Sequence, residues 1–328
     1  MPGKLFLVSR IAVAALAFLG LGCGGAGETA AGRTKAVPRQ GRWGIYKLNL
    51  ATQDVSLIYS SSNTISSSSL RSNSSDTTLL FAEKLGGAGD NDFEICTVGT
   101  DGRNFKRLTS NGFMDVYPAW SPDDRQIAFL SLRQPHLHIY VMNADGSNEG
   151  LLYASDSHDA DIDWVGNSIV FTYRSQIWRM RSDGTSPARL TNPPGAGQQG
   201  NANLPFGDYD PRLSPDGSKV VFERLEGDGS VHGNYNLHRV NADGSGEVAL
   251  TSTAYTQGFP SWSHSGDEIV YLVSAIGDQG KYDLYLMNAD GTGNRSVTPD
   301  YFPPEFLCHV AIFAKGDSDL YFVGEWYQ

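Results

Sequence analysis

HIYVMNADGSNEGLLY (138–153) reads as an apolar strand, a tight turn at Asp145-Gly146 and the start of a second strand. Gly tolerates the positive φ that such turns need, and Asp can bond its own backbone two residues on. The phrase recurs as FEICTVGTDGRNFKRLT (93–109), QIWRMRSDGTSPARLT (176–191), NLHRVNADGSGEVALT (236–251) and DLYLMNADGTGNRSVT (283–298). These four copies close on a Leu-Thr-like step. The Asp-Gly pairs start at Asp101, Asp145, Asp183, Asp243 and Asp290, at spacings between 38 and 60 residues. Repeats of that length, built from short strands, predict a β-propeller with one four-stranded blade per repeat.

Each repeat has a first half as well. YPAWSPDDRQIAFLS (117–131), IDWVGNSIVFTY (162–173), PRLSPDGSKVVFER (211–224) and PSWSHSGDEIVYLV (260–273) place a polar turn before an alternating apolar strand. The unit is therefore strand A, a short turn, strand B, a variable loop, strand C, the Asp-Gly turn and strand D. SSSSLRSNSSDTTLLFAE (66–83) is a degenerate first half without the Trp. At the chain end, HVAIFAKGDSDLYFVGEW (309–326) supplies A and B alone, while WGIYKLNLATQDVSLIYSS (43–61) supplies C and D alone. Together they complete a sixth blade. The expectation is an all-β fold over 41–328, a six-bladed propeller of four-stranded antiparallel blades closed by N-terminal strands joining the C-terminal blade. Closure removes open sheet edges.

The formal charge of −11 argues against a nucleic-acid partner and against charge-driven binding to anionic lipid. Lys4 and Arg10 precede the apolar run IAVAALAFLGL (11–21), which is short for a bilayer span and fits an export signal. Leu19-Gly20-Leu21-Gly22-Cys23 resembles a bacterial lipobox, whose Cys is lipidated, although Gly20 stands where a large aliphatic residue is usual. Residues 1–22 are thus expected as a lipoprotein-type signal peptide, Cys23 as the lipidation site and 23–40 as a flexible tether. Gly24 after the Cys favours the outer membrane, with the protein facing the periplasm and touching the membrane only through its anchor. A monomer is expected. Cys96 and Cys308 fall on strands C and A, too far apart for a bridge, and are expected as buried thiols.

AWSPDDRQIAF with IYVMNADGSN resembles the TolB-like propeller repeat, a relative of the WD repeat, over about residues 43–328. The resemblance implies a six-bladed binding propeller and, as partner, an envelope protein or a cell-wall-associated lipoprotein. This chain is expected to depart from that family in two ways, lacking the separate N-terminal domain that precedes the propeller there and being a lipoprotein itself.

In a four-stranded meander the A–B and C–D turns share one end, and the B–C and D–A loops share the other. The long segments 85–92, 192–208, 225–236 and 274–283 should therefore crowd one mouth of the central channel. Aligning strands A puts Asp115, Asp159, Asp208 and Gln257 in one column, with Asp161 and Asp210 two residues later. Carboxylates converging there would suit a hard cation such as calcium. The competing reading is that they cap strand starts and bond neighbouring blades. Trp120, Trp164 and Trp262 are expected to pack between blades. There is no Gly-x-Ser-x-Gly, no His-Glu-x-x-His and no Cys-x-x-Cys. His136 and His138 at strand spacing would make half a metal site. The best enzymatic candidate is His309 with Asp208 or Asp210 as an acid/base pair. Two functions follow: a non-catalytic, envelope-anchored scaffold without cofactor that binds through its loop-rich acidic end, or a hydrolase or lyase acting on an envelope glycan or peptide.

Overall fold

A computed structural model describes residues 35–85, 92–200, 204–227, 233–274 and 282–327. The expected signal, Cys23 and the tether as far as residue 34 lie outside the described residues. Among those described, 24 strands, numbered β1–β24 along the chain, form six four-stranded antiparallel sheets, with no helix.

The innermost strands are β3 (Ile65–Ser72), β7 (Asp115–Trp120), β11 (Asp159–Val165), β15 (Gly207–Leu213), β19 (Thr256–Trp262) and β23 (Phe306–Phe313). Each touches the next around a ring, and β23 returns to β3. The ring closes as the sequence anticipates. β1 (Trp43–Asn49) lies between β2 (Val55–Ser61) and β24 (Asp319–Trp326), in register from Trp43 opposite Glu325 to Asn49 opposite Asp319. Four of the six outermost strands are only two residues long, which leaves little edge for another chain to pair with.

The repeated phrase has a specific physical basis. In the turns, the N–H of Ser147, Thr185, Ser245 and Thr292 donates to the Asp two residues earlier at 2.9 Å. Gly146 has φ of +89°, and a Cβ there would stand 2.7 Å from the Leu108 carbonyl oxygen of the preceding blade. Gly is therefore required both by the turn and by the close approach between blades. The Leu-Thr step serves the outer strand. Thr109, Thr191, Thr251 and Thr298 accept the strand-C amides of Ile95, Ile177, Leu237 and Leu284 at 2.7–3.0 Å.

One aromatic residue recurs at the fourth position of strand B in every blade: Phe81, Phe129, Phe171, Phe222, Tyr271 and Phe322, all buried. Burying such a ring contributes about 1.5–3 kcal/mol, and here the gain is repeated in each blade. Trp262 packs between blades, its indole N–H donating to the Arg212 carbonyl at 3.0 Å, while Trp120 and Trp164 pack partly buried against the core of the second and third blades. Cys96, on β5 (Phe93–Gly99), and Cys308, on β23, are buried free thiols whose pKa values burial pushes up.

Every innermost strand breaks register against strand B. In four of them the extra residue takes a positive φ: Tyr117 (52°), Asp161 (51°), Asp210 (49°) and Phe259 (54°). These bulges bend the strand where it lines the channel.

Candidate functional site

Asp115 and Asp159 begin their innermost strands, Asp208 follows Gly207 at the start of β15, and all three are fully buried; Asp115 and Asp208 turn to their own blades, Asp159 to His138 on strand C of the preceding blade. Asp115 accepts from the Ser131 hydroxyl and from Asn111 Nδ2 at 2.7 Å, with Arg133 at 3.6 Å. Asp208 takes a two-pronged bond from Arg224 at 2.6 and 3.0 Å, and Arg224 also holds Glu247 at 2.6 Å. Asp159 lies 3.2 Å from His138 Nδ1. Gln257, the fourth of the column, donates to Thr253 Oγ1 at 2.9 Å. Burial pushes the pKa of all three carboxyls up, against the hydrogen bonds that pull them down. This geometry is that of pinned strand starts.

Asp161 and Asp210, at the bulge, do come together across two blades: the Asp210 N–H donates to Asp161 Oδ2 at 3.3 Å. His309 sits elsewhere, stacked on Trp43 at 5.1 Å with its Nε2 3.3 Å from Glu325. Its acidic neighbour is Glu325, in place of the Asp208 or Asp210 expected from the sequence. Glu325 is itself held by Arg42 at 2.8 Å. His136 stands near His138 and is closer to His158, ring centroids 4.9 Å apart. His158 Nδ1 accepts the Leu137 amide, and burial with the two neighbouring imidazoles lowers its pKa. Among the described residues, no group of three or more His, Cys, Asp or Glu is placed to hold a metal ion.

What the loop-rich end offers instead is a cavity of about 500 Å³. Tyr117, His158, Asp161, Leu204, Pro205 and Tyr209 line it from three consecutive blades and the loop that joins the last two. Tyr209 anchors that loop, its hydroxyl donating to the Pro205 carbonyl at 2.6 Å. Of the four long segments expected at this mouth, 192–208 contributes Ala196, Gly197, Leu204 and Pro205 to the wall. Residues 86–91, 201–203, 228–232 and 275–281 lie outside the described residues. The sequence column missed Tyr117 and Tyr209. Their signal was present in the positions beside and between the aligned acids, since the bulge shifts which residue meets the channel.

The family model described as the TolB beta propeller domain matches residues 106–302. An uncharacterized protein of Agrobacterium fabrum is 28% identical over 183 residues, covering 51% of this chain and 57% of that protein. The Tol-Pal system protein TolB of Desulfosudis oleivorans is 28% identical over 109 residues, 31% of this chain and 25% of that one. The matched stretch thus spans little more than half of one relative and a quarter of the other. Among solved structures, a candidate TolB from Agrobacterium tumefaciens superposes with a TM-score of 0.68 at 18% identity, covering 88% of this chain and 99% of its own. TolB from Acinetobacter baumannii gives 0.60 at 19% identity, covering 79% and 63%. At these identities the likeness is one of fold.

Proposed function

This chain belongs to the TolB β-propeller family, and we propose that it is a non-catalytic scaffold binding a protein partner. Exported and lipid-anchored through Cys23, it would face the periplasm from the outer membrane and take an envelope protein or a cell-wall-associated lipoprotein at its loop-rich end. The observation that carries this reading is the 500 Å³ cavity there, with Tyr117, Tyr209, Leu204 and Pro205 on its walls. Aromatic and aliphatic walls around a few polar groups suit a protruding side chain of a partner. The aligned carboxyls Asp115, Asp159 and Asp208 are occupied by Ser131, His138 and Arg224, within the blade for Asp115 and Asp208 and across to the preceding blade for Asp159.

The test is capture from an envelope extract with the full chain, beside an Ala196→Arg variant that puts bulk and charge into the cavity wall. A specific partner whose capture falls at least tenfold with Ala196→Arg, while the variant unfolds at the parent's temperature, supports the scaffold. Equal capture by both proteins removes the cavity from the account. A radiolabelled-palmitate chase comparing the parent with Cys23→Ala tests the anchor separately.

A further inference from the structure

Between the fourth and fifth blades lies a cavity of about 550 Å³ that shares no lining residue with the one proposed to take a partner. Its floor is one face of the fifth blade. Gln257 on β19 pairs with Val273 on β20 (Glu268–Ser274), and Val273 pairs with Asp283 on β21 (Asp283–Asn288). Two residues further along the same strands, Tyr271 pairs with Tyr285. Opposed residues and alternate rows of a sheet share a face, so all five side chains lie on one side. Leu250, Thr253 and Tyr255, on the chain that links the two blades, close the cavity from the other side.

Two other blades fill the corresponding place from within. In the fourth, Arg224 stands where Val273 stands in the fifth, opposite Asp208 in place of Gln257. Its guanidinium lies 5.5 Å from the centre of the Phe222 ring while it binds Asp208 and Glu247. In the second, the Arg133 guanidinium lies 4.8 Å from the centre of the Tyr140 ring, 2.5 Å from Glu149 and 3.6 Å from Asp115. Each cation rests on an aromatic ring with acceptors at its edge. The fifth blade keeps the rings, Tyr271 and Tyr285 at 5.8 Å, and lacks the arginine. Val273 offers nothing to Gln257, whose Nε2 donates to Thr253 Oγ1 at 2.9 Å. Gln257 is only 5% exposed, and its Oε1 has no hydrogen-bond partner among the described residues. A buried acceptor left unpaired is costly. Asn294 holds the position of Glu149 and Glu247 after the Asp-Gly turn and accepts the Tyr271 hydroxyl at 2.6 Å. Asp283 brings an exposed carboxylate to the same face.

We propose that this cavity between blades binds a guanidinium group brought by a ligand, seated on Tyr271 and Tyr285 between Asp283 and Gln257. The ligand's group takes the place that Arg224 fills in the fourth blade. A planar guanidinium stacks on a ring face while its N–H groups reach acceptors at the ring's edge. An ammonium lacks that plane, and a neutral urea group of the same shape lacks the charge. The chain's formal charge of −11 draws cations toward the surface on which the cavity opens. Because the two cavities share no lining residue, either proposal can fail while the other stands.

The test titrates the full chain, at matched ionic strength, with Nα-acetyl-arginine amide and with the citrulline counterpart, which keeps the shape and drops the charge. The arginine compound should raise the unfolding midpoint above the citrulline control. Gln257→Asp with Val273→Arg builds the fourth blade's own pair into the cavity and should weaken that response by about tenfold, the worth of a charge-assisted bond. Asp283→Asn, at an exposed position, should fold as the parent does and weaken the response by about threefold. Free arginine set against the blocked amide assigns the source: a stronger response to the amide points to a peptide side chain, a stronger response to the free form to the amino acid. Crystals of the parent soaked with the arginine amide should show its side chain over Tyr271 and Tyr285, a readout that needs no variant to fold. Equal midpoints with the arginine and citrulline compounds, an undiminished response in either variant, or ligand density only elsewhere would each overturn the proposal.

Discussion

The two mouths of the channel are made by the same six strands and differ in almost every other respect. At the loop-rich end the innermost strands start at or beside buried carboxylates held by Ser131, His138 and Arg224, and Ala196, Gly197, Leu204 and Pro205 of the D–A loop help wall a 500 Å³ cavity. At the turn end the chain reverses in short, nearly identical turns, and the opening is smaller, about 210 Å³, with two arginines inside. Adjacent turns there lock together: Asp124 accepts the Ser74 amide at 2.9 Å, and Asp317 accepts the amides of His264 and Ser265 at 2.8 and 2.9 Å. One end is built to repeat, the other to vary. In a ring of like blades, the repeated end supplies rigidity, and the proposed recognition falls to the variable end.

The largest effect should come from the frame that both ends share. Phe171→Ala, in the buried aromatic position of the third blade, should cost about 3–5 kcal/mol in denaturant unfolding and weaken both mouths together. A cost below about 1 kcal/mol would mean that the blades do not rely on this layer. Next comes a change confined to the loop-rich end. Asp208→Asn leaves Arg224 with only Glu247 and should cost about 3 kcal/mol, again by denaturant unfolding, because a buried partner is lost. At the turn end, Gly146→Ala forces a Cβ to within 2.7 Å of the Leu108 carbonyl at a φ of +89°, for about 1–3 kcal/mol. That loss should leave partner capture unchanged once the protein is folded.

The pH response separates the two ends by sign. The buried carboxyls of Asp115, Asp159 and Asp208 have raised pKa values, so their contribution is fully present below the unfolded value of about 3.9 and is lost as pH rises through the folded one. The turn carboxyls of Asp145, Asp183, Asp216, Asp243 and Asp290 are lowered by hydrogen bonds from the Ser or Thr beside them, Asp216 to about 2. Their contribution is present above the unfolded value and is lost as pH falls through the folded one. Asp159→Asn should therefore lose less stability than the parent as pH rises above about 4. Asp216→Asn should lose less than the parent as pH drops below about 4. Thermal melts across that range check both. The smallest effect concerns the cation expected from the acid column. With those acids bonded to Ser131, His138 and Arg224, adding calcium or a chelator should leave the melting temperature unchanged.

The sequence carried the architecture because the turn end repeats. Asp-Gly needs a positive φ and a small residue at the same place in five blades, and that constraint leaves letters on the page. Ring closure was equally readable, since halves of one repeat stood at the two ends. The mouths were less so. Acids aligned by column looked convergent, yet Asp115 and Asp208 are drawn sideways by Ser131 and Arg224, whose positions on strand B carry no motif. Likewise His309 finds Glu325 and Trp43, 16 and more than 200 residues away in the chain, through a pairing that only closure creates. Arg71 and Arg212 escaped notice because they follow a bulge, and a bulge shifts the strand alternation from which inward-facing residues are read.

The most direct measurement is hydrogen–deuterium exchange of the full chain with and without the partner captured from envelope extract. Protection is predicted in 154–158 and 192–206, at the loop-rich mouth, with the turns 121–125, 214–218 and 263–267 unchanged. Protection of those turns, with the loop-rich segments exchanging as before, would contradict the account and move the binding surface to the other end of the channel.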